Sequence, residues 1–119
     1  MSKQAVIILA HGSRNIQARE SFIKMVRVLN KRSQRPVVPA FYSLGTPTLS
    51  DAVGDLATGE YSKIIILPYF LFDGNHVQKD IPLLVSKLRA KHPEIDFQIL
   101  GSLEHEPMML EIVLQRIRE

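Results

Sequence analysis

Apolar residues fall into two alternating rhythms along the chain. Apolar runs occupy residues 6–9 (VIIL), 37–42 (VVPAFY), 64–67 (IIIL) and, interrupted by Gln98, 97–100 (FQIL). Unbroken runs of β-branched and aromatic residues predict strands covered on both faces, as in a parallel sheet. The stretches between them repeat at helical spacing instead. Phe22, Val26 and Leu29 share one face; so do Leu49, Ala52, Val53 and Leu56; so do Ile81, Leu84, Val85 and Leu88; and so do Met109, Ile112, Val113 and Ile117. Each set is the stripe of a core-facing helix. Helix starts are marked by Ser13 or Asn15, by Thr46-Pro47, by Asp80 with Pro82, and by Pro107, and helix ends by Gly59 and His92-Pro93.

The order is βαβαβαβα. It predicts an α/β fold, a three-layer sandwich with a four-stranded parallel sheet and right-handed crossovers. Pro39 inside the second run places that strand at an edge, because proline cannot donate to a ladder. The expected strand order is therefore 2-1-3-4. At 119 residues, without linker or repeat, residues 1–119 are expected to form one domain.

Composition narrows the chemistry. There is no cysteine, so disulfides, thiolate nucleophiles and cysteine-held metal are excluded, and any metal must be held by nitrogen and oxygen. The net charge of +3 is mildly basic. Apart from a short cluster at Lys31, Arg32 and Arg35 the cations are dispersed, so a nucleic-acid partner is not expected. No apolar stretch approaches the roughly 18 residues of a membrane span, and the N-terminal run is too short for a signal peptide. A soluble cytoplasmic protein is expected, with no membrane partner. No nucleotide-binding motif appears, so no nucleotide cofactor is expected.

An open sheet of order 2-1-3-4 reverses direction between strands one and three, and such sheets bind ligands at the carboxyl ends of the strands there. His11 follows the first strand and His76 lies in the loop leaving the third. The two histidines are far apart in sequence, yet topology sends both to one crevice. Neutral imidazole binds borderline divalent metals and also accepts protons near neutral pH. Around His11, Gly12 permits close backbone approach, Ser13 or Asn15 can cap the next helix, and Arg14 suits an anion. Around His76, Asp73 can ligate metal, orient the histidine or turn the chain, with Asn75 beside it; Lys79 can pair with Asp80 or face an anion. His92 reads as structural. His105 follows strand four on the same rim.

Three segments carry a family resemblance: VIILAHGSRNIQARESF, TPTLSDAV and IIILPYFLFDGNHVQKDIPLL. Together they resemble the small sirohydrochlorin cobalt-chelatases of cobalamin and sirohaem biosynthesis, in order, from about residue 5 to residue 103. The resemblance implies ATP-independent insertion of a divalent metal, cobalt first and nickel or iron next, into a sirohydrochlorin-like tetrapyrrole. It implies that His11 and His76 hold the incoming metal and help remove the pyrrole protons, and that the chain works as a homodimer. Residues expected near the tetrapyrrole are Ser13, Arg14, Ser43, Asp73, Asn75 and Lys79. One position departs from the pattern. Where the family usually carries a glutamate at the end of strand two, this chain has Ser43, and no carboxylate lies between Pro36 and Ser50. A relative that binds or carries metal or tetrapyrrole without inserting it is the alternative. A phosphohistidine carrier, which needs only His11, is a third reading.

Overall fold

In a computed structural model, the four runs form β1 (Gln4–Ala10), β2 (Val37–Phe41), β3 (Lys63–Pro68) and β4 (Asp96–Ile99), all parallel, in the order β2-β1-β3-β4. The structure describes residues 3–118, except for the side chains of His76, Val77 and His105. Both central strands are buried on both faces, as their unbroken apolar runs require. Pro39 sits on β2, an edge strand, opposite Ile8. The N–H of Phe41 donates to the carbonyl of Pro47 at 2.8 Å, so the chain closes part of that edge itself.

Helices α1 (Ile16–Arg32), α2 (Leu49–Ala57) and α3 (Ile81–Lys91) cover the sheet. On one face α1 packs Phe22 and Val26 against Ile8, Val37 and Phe41. Leu29, the third residue of that stripe, is exposed. On the other face α2 and α3 bury Leu49, Val53, Ile81 and Val85 against Ile7, Leu9, Ile64 and Ile66. Burying one such aliphatic side chain contributes roughly 1.5–3 kcal/mol, so these two layers hold the domain together.

Local signals differ from the sequence reading at three places. The cap of α2 is Thr48, two residues beyond Thr46. Its hydroxyl accepts from the N–H of Asp51, and the Asp51 carboxylate accepts from the N–H of Thr48, a reciprocal capping box. The segment leaving β3 is not simply a loop, because a π-helical turn over His76–Asp80 runs directly into α3. Pro82 cannot donate back into that turn and crowds it, which a wider helical turn accommodates.

The third difference is α4 (Pro107–Arg118), which buries no residue. Met109 is half-buried, but Ile112 and Val113 are each 52% exposed and Ile117 is 72% exposed, so most of the predicted core stripe faces away from the core. The stripe is amphipathic as read; what it lacks, among the described residues, is a surface to cover. The radius of gyration, 14.9 Å, exceeds the roughly 13.5 Å of a compact domain this long. On the α1 side of β4, Asp96, Gln98 and the following Leu100 remain exposed.

Candidate metal-handling site

The carboxyl edge of the sheet is built from backbone. Past the end of β1 the ladder to β2 continues: the N–H of Tyr42 donates to the carbonyl of Ala10 at 2.7 Å, that of Ser43 to His11 at 2.9 Å, and that of Ser13 to Leu44 at 3.1 Å. This continuation brings the carbonyl of Ser43 so close to Gly12 that a Cβ there would lie 1.7 Å from it, and Gly12 has φ +105°. Only glycine fits both conditions. Leu44 takes the left-handed conformation, φ 47°, which costs a non-glycine residue roughly 1–2 kcal/mol.

His11 is exposed at this edge. Its ring lies 5.9 Å from that of Tyr42 and 6.4 Å from that of Phe70, both tilted. Tyr42 donates its hydroxyl to the Asp80 carboxylate at 3.2 Å. Partial burial, then the bond to Asp80 and its negative charge, hold the Tyr42 phenol above its ordinary pKa. Beside His11 lies a cavity of about 190 Å³, lined by Gly12, Arg19, Phe22, Tyr69 and Phe70 among others. Arg19 donates to the carbonyl of Ser13. Leu71 and Phe72, which follow Phe70 in the chain, are exposed, Phe72 to 71%.

His76 begins the π-helical turn on the segment leaving β3, the strand paired with β1. Backbone topology therefore brings it to the same edge as His11, while its side chain lies outside the described residues, as does that of His105. The other expected residues divide. Asn15 caps α1, accepting from the N–H groups of Gln17 and Ala18, and the Ser13 hydroxyl accepts from Asn15. Ser13 thus shapes the turn. Arg14, Asn75 and Lys79 are exposed. Ser43 directs its hydroxyl to the carbonyl of His11 at 3.4 Å. Asp73 ties two loops, its carboxylate accepting from Ser102 N–H and its own N–H donating to Glu104. His92 sits 3.8 Å from Glu94 at the end of α3, a structural place as read.

Tyr42, Phe70, Arg19, Asp80 and Glu104 were not among the expected site residues. Tyr42 and Phe70 lie in apolar runs, where an aromatic ring reads as core. Asp80 reads as a helix cap. Only the adjacency of strand ends in space brings them to the histidine edge.

The fold and this edge define a parallel α/β half-domain with a histidine at the switch point of the sheet. The comparisons with known proteins agree. A family model described as CbiX matches residues 5–119, and the chain belongs to that family. Among similar proteins, the chloroplastic sirohydrochlorin ferrochelatase of Arabidopsis thaliana is 28% identical over 114 residues, covering 95% of this chain and 51% of that protein. The sirohydrochlorin cobaltochelatase of Saccharolobus solfataricus is 28% identical over 120 residues, covering 96% of this chain and 93% of that protein. The chain therefore spans about half the length of the plant relative and nearly all of the archaeal one. The solved structure of the sirohydrochlorin chelatase SirB from Bacillus subtilis subspecies spizizenii, in complex with cobalt, has a TM-score of 0.91 at 20% identity. That match covers 98% of this chain and 50% of that one, a likeness of fold. Among the described residues no helix is long and apolar enough to cross a membrane.

Proposed function

We propose that this chain is a sirohydrochlorin chelatase, inserting a divalent metal ion into a sirohydrochlorin-like tetrapyrrole without ATP, in the cytoplasm. The metal is a substrate: cobalt first, with nickel and ferrous iron as candidates. Metallation requires that two pyrrole N–H protons leave and that the metal shed water. His11 and His76 are assigned to both tasks, presenting the metal on one side of the macrocycle and accepting protons. The observation that carries this reading is the exposed His11 at the carboxyl edge of β1, with the His76 segment leaving the neighbouring parallel strand. Arg14 on the loop after β1, and Asn75 and Lys79 on the segment leaving β3, are exposed and suit the carboxylates of such a substrate. Family membership and the names of the relatives support the reaction class.

The edge of one such domain is open for a macrocycle, so we assign the active form to a homodimer in which each chain is one chelatase-like domain. The exposed apolar face of α4 supports this. A helix of 12 residues is marginal in water without a packed face, and a second copy supplies that cover.

Anaerobic metallation of sirohydrochlorin, followed by absorbance with Co²⁺, Ni²⁺ and Fe²⁺ in parallel and no ATP, tests the proposal. A rate above the uncatalysed background that is lost in His11→Ala and in His76→Ala is expected. No rate with any metal refutes insertion. Ser43 favours a second reading, that of a relative which binds metal or tetrapyrrole without inserting it. A hydroxyl engaged with the His11 carbonyl is a poor base at the position where the family resemblance implies a carboxylate. If Ser43→Glu creates activity in an inactive parent, that second reading holds.

A further inference from the structure

A side-chain hydrogen bond crosses the crevice. The Tyr42 hydroxyl, just past the end of β2, donates to Oδ2 of Asp80, at the junction of the π-helical turn and α3. The segments it joins leave β2 and β3, which are not neighbours in the sheet; β1 lies between them. The bond therefore ties together the segments that leave the two strands flanking β1, the strand whose carboxyl end carries His11.

We propose that Tyr42 and Asp80 form a positioning pair for the metal-handling histidines: the Tyr42 ring backs His11, and its hydroxyl, through Asp80, fixes the π-helical turn that begins at His76. The inference rests on the chelatase reading and adds to it two residues that act through the histidines.

Three observations carry it. First, Asp80 occupies the N-cap position of α3, where an aspartate ordinarily accepts from the N–H groups of its own helix. Here it makes no side-chain cap bond and has helical backbone angles, because the π-helical turn continues into α3. Its carboxylate reaches across to Tyr42 instead. Second, the Tyr42 ring packs against the core that α2 and α3 share, and a phenylalanine satisfies that packing. What the hydroxyl adds to that packing is the 3.2 Å bond to the Asp80 carboxylate. Third, the His11 ring has Tyr42 and Phe70 as aromatic neighbours at 5.9 and 6.4 Å. One comes from the β2 end and the other from the β3 end. Tyr42 thus touches His11 through its ring and the end of the π-helical turn through its hydroxyl, so its position bears on both. Groups that orient a metal ligand are typically worth about 10–100-fold in affinity or activity.

Titration of the purified protein with Co²⁺, read by the visible absorption of protein-bound cobalt, tests the pair. Tyr42→Phe and Asp80→Asn are each expected to weaken Co²⁺ binding about tenfold and to change the absorption band. The double variant should be no weaker than the worse single one, because each substitution breaks the same bond. Thermal midpoints of the metal-free variants should stay near that of the parent, which separates positioning from folding. In the metallation assay kcat should fall while KM for sirohydrochlorin stays within about twofold. His11→Ala is the reference arm. If it loses Co²⁺ binding while Tyr42→Phe and Asp80→Asn bind as the parent does, or if their losses multiply in the double variant, the positioning pair is overturned and the chelatase reading stands. If His11→Ala binds Co²⁺ as the parent does, both are overturned.

Discussion

Replacing Gly12 with alanine isolates what the backbone contributes to the site. A Cβ at this position meets the Ser43 carbonyl oxygen at 1.7 Å and its carbon at 2.7 Å, both backbone atoms that no rotamer change can move. The positive φ of Gly12 adds roughly 1–2 kcal/mol for any residue with a Cβ. Relieving the overlap by shifting the chain costs a further 1–3 kcal/mol, on the order of other overpacked substitutions. The sum is about 2–5 kcal/mol. Near this chain length about 1 kcal/mol corresponds to roughly 4 °C, so the thermal midpoint should fall by about 8–20 °C. The shift pushes the β1 and β2 ends apart and strains the bonds from Ser43 N–H to His11 and from Ser13 N–H to Leu44. Co²⁺ affinity should therefore fall together with stability. Equilibrium urea unfolding and calorimetry measure the first loss, and cobalt titration well below the midpoint measures the second. A Gly12→Ala protein within about 0.5 kcal/mol of the parent would refute the reasoning, since surface substitutions without mechanism reach that range.

Asn15→Ala should cost about 1 kcal/mol in urea unfolding, because the carboxamide oxygen accepts from two N–H groups at the start of α1. Ile66→Ala, at a fully buried position on the central strand β3, should cost roughly 2–5 kcal/mol in the same assay. Leu110→Lys with Ile117→Lys, both on exposed positions of α4, should shift sedimentation toward the monomer and leave the thermal midpoint of the isolated chain nearly unchanged. A midpoint that falls even at dilutions where the parent is itself monomeric would show instead that α4 packs on its own core.

The sheet was legible because burial on both faces writes itself into β1 and β3 as unbroken apolar runs, and Pro39 reported the edge strand. Strand order and the histidine edge follow from those facts by topology. What was not legible depends on contacts between segments remote in sequence. The stripe of α4 has the same rhythm as that of α3, and rhythm cannot say whether the covering surface belongs to the same chain. The π-helical turn has no periodic signature over so few residues. Thr48 was overshadowed by Thr46-Pro47, although Asp51 three residues later completes the capping box that marks the true start. Tyr42 and Asp80 each satisfy a local rule, core aromatic and helix cap, and only the fold joins them.

The rim also indicates what a change at position 43 can do. Ser43 fixes the crevice through its peptide: its carbonyl packs on Gly12 and its N–H donates to His11. Those interactions survive any side chain at that position. Its hydroxyl only reinforces the His11 carbonyl, at 3.4 Å. Serine in place of the glutamate expected from the family therefore leaves the scaffold intact and removes a charge from the crevice. Gly12 and Asn15 are constrained by conformation and by capping; position 43 is constrained only by the chemistry performed beside it. Position 43, where the family resemblance implies a glutamate, thus carries a side chain that the fold does not need. On the proposed chelatase function its variation bears on metal affinity, metal choice and proton removal, and the fold should be indifferent to it.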